Sequence, residues 1–203
     1  MRPIKTTVAR FFYLFLPLLT WSISNVNAQQ MVSDFNLLNV DGKMVSLSNY
    51  PEAKGFILVF VCNHCPFANL YPTRFNELTK KYAAVGVPLM AISSTDTIVY
   101  EEDTYPKMVE KSKREQFNFP YLFDGTQAVA KNFLAEKTPH AYVIWKENNQ
   151  WVVKYSGAID DNGQNPNLVE NQYIAKAVDA LLQCHEVEVP ATKSIGCRII
   201  FRE

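Results

Sequence analysis

Apolar residues along the chain fall into two patterns that predict different secondary structure. The run GFILVFV, residues 55–61, is apolar throughout and rich in branched and aromatic side chains, which indicates a strand buried on both faces. The run VPLMAIS, residues 87–93, has the same character. Between these runs, apolar residues recur at helical spacing over residues 66–84, and this pattern predicts a helix. Pro72 lies inside that helix and should kink it, because proline lacks the backbone N–H that the turn would use.

A turn signal near the start of the domain predicts a β-hairpin. Asp41-Gly42 separates two short apolar segments, and Asp-Gly favours a two-residue hairpin turn. Strands that alternate with helices further along the chain imply one α/β domain, with helices on both faces of a sheet. In chain order, the pattern predicts strands near residues 35–39, 43–47, 55–61, 87–93, 121–123, 141–145 and 151–157, and helices near residues 66–84, 104–116, 127–133 and 168–182.

Two of the predicted helices carry start signals. Asp103 or Thr104 can cap a helix that has Pro106 in its first turn. Asn167 with Glu170 resembles a capping box ahead of the last helix. We therefore expect the last helix to begin directly after Asn167.

The first 28 residues are typical of a signal peptide. Three basic residues precede an apolar stretch, residues 11–21, which is shorter than the roughly 20 residues that span a membrane. Small residues at Val26 and Ala28 then predict cleavage after Ala28. An uncleaved N-terminal anchor is the alternative, and both interpretations predict export, to the periplasm if the source is a Gram-negative bacterium. The organisation expected is signal peptide 1–28, domain 29–187 and C-terminal tail 188–203.

Charge and cysteine content narrow the function classes. The chain has 203 residues, with 20 Lys and Arg against 20 Asp and Glu, so it has no basic excess for binding nucleic acid. Its four cysteines, Cys62, Cys65, Cys184 and Cys197, all follow the predicted signal peptide. Disulfides persist in exported proteins, yet a core of this size does not depend on them for folding.

The stretch FVCNHCPF, residues 60–67, is the main candidate for chemistry. Cys62 and Cys65 stand between the buried strand and the predicted helix, where free N–H groups and the helix dipole stabilise a thiolate. Thiols so placed have pKa values of about 3.5–7.5 instead of about 8.5. We expect Cys62 to face outward as the attacking thiolate and Cys65 to act as the more buried resolving thiol. A cationic His64 would stabilise the thiolate and make the couple more oxidising, whereas the alternative is that His64 points to solvent.

Three other interpretations of the cysteine pair remain open. Structural zinc would need two further ligands at short spacing, and the sequence does not supply them. Copper could be held by Cys62 and Cys65 together with His64 or His140. An inert structural disulfide is also compatible with export. The redox interpretation itself requires no metal and no cofactor beyond the internal disulfide.

The order of elements and several segments give the chain a family resemblance. It resembles the thioredoxin superfamily, in its peroxiredoxin-like branch of alkyl hydroperoxide reductase, thiol-specific antioxidant (AhpC/TSA) and redoxin proteins. The resemblance implies a thioredoxin-like α/β fold, with a central mixed sheet flanked by helices and an N-terminal hairpin. The segments that carry it are FNLLNVDGKMVSLSNY, FVCNHCPF, PYLFDGTQAVAKNF, KTPHAYVI, YSGAIDDN and VPATKSIGCRI.

The resemblance also implies a function and a substrate-binding element. The function is thiol–disulfide exchange with protein thiols and disulfides, with a membrane protein or a thioredoxin-type protein as electron donor. Thr138-Pro139 would have a cis peptide bond facing Cys62 and Cys65, and the backbone edge at Thr138 would be free to pair with a substrate strand. An ordinary trans Thr-Pro is the alternative. His140, the next residue, either approaches the cysteines or packs elsewhere.

Three departures from the related families bear on the chemistry. Peroxiredoxins carry a proline and a hydroxyl residue before the peroxidatic cysteine, but residues 57–61 are all apolar, so a thiol-dependent peroxidase is the runner-up function. Thioredoxins carry a buried aspartate six positions before the first cysteine, where this chain has Phe56. The base for Cys65 is therefore open among Glu136, His64 and water. Asn63-His64 also replaces the Gly-Pro dipeptide of thioredoxin.

Two further groups of residues have competing interpretations. Cys184 and Cys197 are expected to form a structural disulfide that fixes the tail; a second redox pair that passes electrons to the first, or two unpaired thiols, are the alternatives. The run Asp160-Asp161-Asn162 is expected to be a solvated loop, with a metal site or proton relay as the alternative.

Overall fold

The computed structural model describes residues 30–202, so the predicted signal peptide lies outside the described residues. The strands are β1 (Met31–Val32), β2 (Asn36–Asn39), β3 (Met44–Ser46), β4 (Gly55–Val61), β5 (Leu89–Ser93), β6 (Tyr121–Phe123), β7 (Lys137–Thr138), β8 (His140–Glu147), β9 (Gln150–Gly157) and β10 (Cys197–Arg198). The helices are α1 (Pro72–Tyr82), α2 (Tyr105–Arg114), α3 (Ala128–Phe133) and α4 (Tyr173–Leu182).

Eight of the strands form one mixed sheet in the order β1-β9-β8-β4-β5-β6-β2-β3. The central pairs β4–β5 and β5–β6 are parallel, whereas β4–β8 and the outer pairs are antiparallel. Parallel neighbours need a crossover connection, which α1 provides between β4 and β5 and α2 between β5 and β6. The fold is therefore the thioredoxin-like α/β arrangement that the family resemblance implied.

Strand β4 separates two apolar cores. Ile57 and Val59 pack in a cluster with side chains of α1, α2 and α4. Phe56 and Leu58 point the other way, into a cluster that contains α3. Successive side chains of a strand point to opposite faces, so a strand buried on both faces must be apolar at every position. The prediction of a buried strand over 55–61 is confirmed with both bounds correct.

Both hairpins follow their turn residues. β2 pairs antiparallel with β3 across Asp41-Gly42, and the positive φ of Gly42, 83°, suits the turn. β8 pairs antiparallel with β9 through Asn148 and Asn149, whose φ angles are 49° and 61°. Two consecutive positive φ angles match a type I′ hairpin turn, which asparagine tolerates. The hairpin predicted at Asp41-Gly42 is confirmed, and the two strands predicted near 141–145 and 151–157 form a second one.

Two predicted helix starts were wrong. The segment after the cysteines forms a short 3₁₀ turn, Ala68–Leu70, and α1 begins only at Pro72. Proline at the first helical position costs no hydrogen bond, because that N–H has no helical acceptor, so Pro72 starts the helix and does not kink it. α4 begins at Tyr173, because residues 166–168 form a separate 3₁₀ turn that is capped by Asn165.

The segment after α4 returns across the molecule and is part of the fold. Thr192 N donates to the Ser156 carbonyl at 3.0 Å. β10 then pairs antiparallel with β7, so that Cys197 lies opposite Thr138. Beyond β10, Ile199 is buried, and the Arg202 guanidinium pairs with Asp96 at 2.8 Å. The tail is thus attached on both sides of Cys197.

Within residues 30–202, no helix combines the length and apolar composition needed to cross a membrane.

Candidate active site

Cys62 and Cys65 lie in the connection between β4 and α1, and Thr138 contacts both sulfur atoms. Cys62 Sγ lies 2.9 Å from Thr138 Oγ1, and Cys65 Sγ lies 3.0 Å from the Thr138 carbonyl oxygen. The Thr138–Pro139 peptide bond is cis, which confirms that prediction. The structure therefore brings the cysteine pair and the Thr-Pro pair together, although they are more than 70 residues apart in the sequence.

The expected outward position of Cys62 at a helix N-terminus was wrong. Cys62 is 1% exposed and Cys65 is 0% exposed. α1 begins only at Pro72, so its free N–H groups do not reach Cys62, since a helix dipole acts mainly within the first turn. Side chains and loop backbone, rather than a helix end, therefore set the electrostatics of the two thiols.

His64 connects Cys62 to a buried carboxylate. His64 Nε2 lies 3.8 Å from Cys62 Sγ, and Nδ1 hydrogen-bonds to Asp103, whose side chain is 0% exposed. The Tyr100 ring stacks on the imidazole at 3.7 Å with an interplanar angle of 3°. When Asp103 accepts the Nδ1 proton, Nε2 is left to take a proton from the thiol, which is the logic of a nucleophile–base–carboxylate series. His64 therefore does not point to solvent.

Asp103 is the functional residue that sequence reasoning missed. The sequence offered it only as a helix cap, but Thr104 occupies the N-cap position of α2. Asp103 instead accepts hydrogen bonds from the Asn63 backbone N–H and from His64. Asn63 has a structural role as well, because its side chain donates to the Glu102 carbonyl at 2.7 Å. The loop before α2 thus holds the dipeptide between the two cysteines.

The two active-site thiols influence each other's pKa values strongly. The pKa of Cys65 is lowered, chiefly by the Cys62 thiol. The Cys197 thiol and the backbone N–H groups of Ala68 and Cys197 lower it further, whereas burial raises it. The pKa of Cys62 is raised, chiefly by its hydrogen bond to Cys65 and then by burial, with the Asp103 charge adding to both. The two thiols are therefore coupled, so that loss of one proton leaves the other shared between the two sulfur atoms.

A lysine that the sequence did not single out lies beneath the site. Lys111 of α2 lines the same small cavity as Cys62. Its ammonium group donates to the Asn69 side chain, and burial lowers its pKa. A cation at this depth favours a thiolate at the cysteine pair.

The tail occupies the backbone edge that was expected to be free for a substrate strand. Cys197 is the antiparallel partner of Thr138, and Gly196 lies against the Thr138–Pro139 peptide so closely that a Cβ atom there would be 2.6 Å from the Thr138 carbonyl carbon. Exposed strand edges are commonly covered in this way, because their N–H and C=O groups need partners. In this structure the chain itself supplies the partner.

The structure separates the two remaining cysteines. Cys184 is exposed after α4 and lies beside Trp145 and Lys146, toward the end of β8. Cys197 lies beside Thr138, just before β8 begins. A strand rises about 3.3 Å per residue, so most of the length of β8 lies between them. Both thiols are free, and the expected Cys184–Cys197 disulfide does not form in this structure.

His140 and Glu136, two other candidates, face away from the cysteine chemistry. The His140 ring stacks on Tyr142 at 4.5 Å, and its Nε2 lies 3.0 Å from Ser156 Oγ. Burial, followed by the charge of Lys137, lowers the pKa of His140 to about 4, so it is a neutral packing residue. Glu136 is exposed, and its backbone carbonyl accepts a hydrogen bond from a backbone N–H of the tail.

The expected solvated loop at residues 160–162 contains a buried ion pair. Asp160 is buried and pairs with Arg74 of α1 at 2.5 Å, while Asp161 is exposed and accepts from Asn171. A buried Asp charge is tolerated when it has a partner, and no local pattern identified Arg74 as that partner. The loop lines a groove of about 310 Å³ beside Pro139, together with Phe67, Leu70 and Ile195.

One cluster in the described part of the chain could hold a metal ion. The ligand atoms of Cys62, His64 and Asp103 lie within 4.8 Å of one another. The 3.8 Å between Cys62 Sγ and His64 Nε2 fits two ligands of one ion at about 2.3 and 2.0 Å. Asp103 already bonds to Nδ1, which is the usual second partner of a metal-binding histidine.

Comparison with known proteins gives one family match. The family model described as the AhpC/TSA family matches residues 28–161. No curated protein matches the sequence.

Several solved structures are similar to this chain. An uncharacterized conserved protein from Geobacillus kaustophilus is 34% identical, with a TM-score of 0.78, and the match covers 86% of this chain and 92% of that one. A hypothetical protein from Sinorhizobium meliloti is 28% identical, with a TM-score of 0.78 and coverage of 88% and 97%. A putative thiol:disulfide interchange protein DsbE from Chlorobium tepidum is 18% identical, with a TM-score of 0.59 and coverage of 76% and 96%. At that identity, the last match reports a shared fold alone.

Proposed function

We propose that this chain, which belongs to the AhpC/TSA family, is a thiol–disulfide oxidoreductase that exchanges disulfides with protein thiols through Cys62 and Cys65. The observation that carries the proposal is the contact of both sulfur atoms with Thr138, at 2.9 and 3.0 Å. Two thiols that meet at one residue, beside a histidine base, can alternate between the dithiol and the disulfide.

The exchange takes place in two displacements. The thiol proton of Cys62 passes to His64 Nε2, and the Cys62 thiolate attacks a substrate disulfide. A mixed disulfide forms, and one substrate sulfur leaves as a thiolate. Cys65 then attacks Cys62 Sγ, which closes the Cys62–Cys65 disulfide and releases the second substrate sulfur. The same steps in reverse oxidise a substrate dithiol, and the reduction potential of the couple sets the direction.

The setting proposed for this activity is outside the cytoplasm. Support comes from residues 1–28, whose basic start, apolar centre and small residues at 26 and 28 are typical of a signal peptide. An exported dithiol is kept reduced only by an electron donor, so a membrane or thioredoxin-type donor completes the cycle.

The groove beside Pro139 is suited to the polypeptide around a substrate cysteine. Phe67 and Leu70 are exposed apolar residues on one side of it, at 41% and 42%, and Ile195 on the other side is 67% exposed. Contiguous exposed apolar side chains often mark an interaction site. Partly unfolded protein substrates, which expose apolar segments next to their cysteines, match this surface.

A disulfide-exchange assay with single cysteine variants tests the proposal. Cys62→Ser and Cys65→Ser should each abolish turnover of a protein disulfide, while Cys184→Ser, which removes an exposed thiol, should leave turnover unchanged. Wild-type turnover in both active-site variants would refute the proposal. Peroxide consumption that survives Cys65→Ser but not Cys62→Ser would instead favour a thiol peroxidase.

The cluster of Cys62, His64 and Asp103 favours a second candidate function, binding of copper. A thiolate and an imidazole are suitable ligands for this metal. Titration of the reduced protein with Cu(I) in competition with a chelator tests it. Stoichiometric binding that is lost in Cys62→Ser but kept in the control Cys184→Ser would support the metal function, and binding that is unchanged in Cys62→Ser would exclude it.

A further inference from the structure

The tail crosses the active site in a fixed register. Cys197 pairs with Thr138, the residue that contacts both active-site sulfurs. Directly opposed residues in antiparallel strands have Cα atoms about 4.5–5.5 Å apart. The register therefore places a third cysteine beside the pair.

Gly196 is what permits this approach. Its Cα lies against the Thr138–Pro139 peptide, and a Cβ built there would be 3.0 Å from Pro139 N and 2.6 Å from the Thr138 carbonyl carbon. Any residue with a side chain would hold the tail away from the peptide. The Gly-Cys pair thus allows Cys197 to reach the level of the buried sulfurs.

Cys197 lies in the same apolar cluster as the active-site pair. Its side chain packs against the cluster that contains Cys62 and Cys65, and its register partner Thr138 accepts from Cys65 Sγ at 3.0 Å through its carbonyl oxygen. The Cys197 thiol also lowers the pKa of Cys65. Three thiols therefore lie close together around Thr138.

The tail holds Cys197 in place from both sides. Before it, Thr192 Oγ1 lies 2.6 Å from Tyr155 Oη. After it, Ile199 N donates to the Glu136 carbonyl at 2.9 Å, and Arg202 pairs with Asp96. A thiol that is anchored next to its partner reacts at a high effective concentration.

We infer that Cys197 is a third redox thiol of this site, which takes over the disulfide from Cys62 by bonding to Cys65. The inference rests on the proposed thiol–disulfide exchange at Cys62 and Cys65. It differs from a Cys184–Cys197 bridge, because it assigns Cys197 a partner inside the active site.

The step is an exchange that needs no outside oxidant or reductant. Starting from the Cys62–Cys65 disulfide, the Cys197 thiolate attacks Cys65 Sγ. The Cys65–Cys197 bond forms, the Cys62–Cys65 bond breaks, and the electron pair leaves with Cys62. The proton lost from Cys197 is matched by the one that Cys62 gains, for which His64 Nε2 is the neighbouring donor. The protein then holds its disulfide in the interior and again has a reduced Cys62.

The exchange also ties the tail covalently to the active-site loop. In this form the edge at Thr138 is closed to a substrate strand, whereas in the Cys62–Cys65 form only non-covalent pairing covers it. The two disulfide isomers therefore differ in access to the site.

Peptide mapping after oxidation tests the inference, with all proteins made in a Cys184→Ser background. Trypsin releases residues 55–74, which carry Cys62 and Cys65, and residues 194–198, which carry Cys197. After equilibration in a glutathione redox buffer and alkylation of free thiols, Cys62→Ser protein should give these two peptides linked by a disulfide. The matched control, Cys62→Ser with Cys197→Ser, should give no link.

A second readout uses oxidised protein that keeps Cys62. In that protein a fraction of the linked peptides should carry one alkyl group, on Cys62, and the fraction should disappear in Cys197→Ser. Failure to find the link in Cys62→Ser, while the other protein forms its Cys62–Cys65 disulfide, overturns the inference and leaves the proposed function standing. Absence of both disulfides overturns the proposed function as well.

Discussion

Replacement of Gly196 by alanine should detach the tail from the active site. The new Cβ would lie 2.6 Å from the Thr138 carbonyl carbon, whereas carbon atoms settle at about 3.5 Å or more. The Thr138 carbonyl oxygen would lie closer still, so the two segments must separate by at least about 0.9 Å. Applied to the 2.9 Å bond from Ile199 N to the Glu136 carbonyl, that separation gives about 3.8 Å, which is outside hydrogen-bond range.

The hydrogen bonds lost in Gly196→Ala can be expressed as a change in the population of protein whose tail is detached from the active site. β10 and β7 pair over two residues, and two hydrogen bonds at about 0.5–1.5 kcal/mol each amount to about 1–3 kcal/mol. At 1.4 kcal/mol per factor of ten, the population with a detached tail rises about 5- to 150-fold.

Alkylation of the reduced protein by iodoacetamide measures that population, because neither Cys62 nor Cys65 is exposed in the closed form. Modification of residues 55–74 should accelerate by the same 5- to 150-fold factor, while that of the exposed Cys184 should keep its rate. Gly42→Ala is the matched control, because Gly42 also has strained backbone for alanine, with φ of 83°, but lies in a distant hairpin with open space around it.

Two outcomes would refute this reasoning. If Gly196→Ala lowers the free energy of unfolding but leaves the alkylation rate of residues 55–74 at the wild-type value, the tail does not cover the cysteines. If Gly42→Ala accelerates alkylation to the same extent, global destabilisation rather than tail release controls access.

Two further predictions concern His64 and His140. Asp103→Asn should lower the exchange rate on the order of 10²-fold and alter its pH profile, because an amide does not hold the His64 tautomer as a carboxylate does. Glu102→Gln, a change at the exposed neighbour, should keep the wild-type rate and pH profile. Equal losses of rate in the two variants would contradict the role assigned to Asp103. Burial holds the pKa of His140 at about 4, below its usual value of about 6.5, so the unfolded chain binds a proton more readily than the folded one. The contribution of neutral His140 to stability should therefore be complete above about pH 6.5. It should fall toward pH 4 by up to about 1.4 kcal/mol per pH unit. Urea unfolding across this range should show a shallower decline for His140→Gln than for the exposed-site control His185→Gln, and equal declines would contradict the assignment.

The elements that the sequence predicted correctly are those set by local pattern. β4 is apolar at every position because both faces are buried, and the hairpin at Asp41-Gly42 follows from the Asp-Gly turn signal. The cis Thr138–Pro139 bond came from family resemblance rather than from any local rule. Pro72 was misjudged because proline is acceptable at the start of a helix and disruptive inside it, and the periodicity alone did not locate the start.

The parts of the site that the sequence did not predict depend on long-range contacts. Asp103 and His64 are 39 residues apart, and no local signal distinguishes this aspartate from an ordinary helix cap. Cys197 meets Thr138 through a strand of only two residues, which is too short to leave a periodic pattern. The relation between Arg74 and Asp160, 86 residues apart, was hidden for the same reason.

Thr138 contacts the two active-site sulfur atoms through different parts of the residue. Its hydroxyl group reaches Cys62, whereas its main-chain carbonyl reaches Cys65. A substitution at this position can change the first contact, but every amino acid retains the second. Genetic variation at position 138 can therefore alter the side-chain contact with Cys62 while the main-chain contact with Cys65 is conserved.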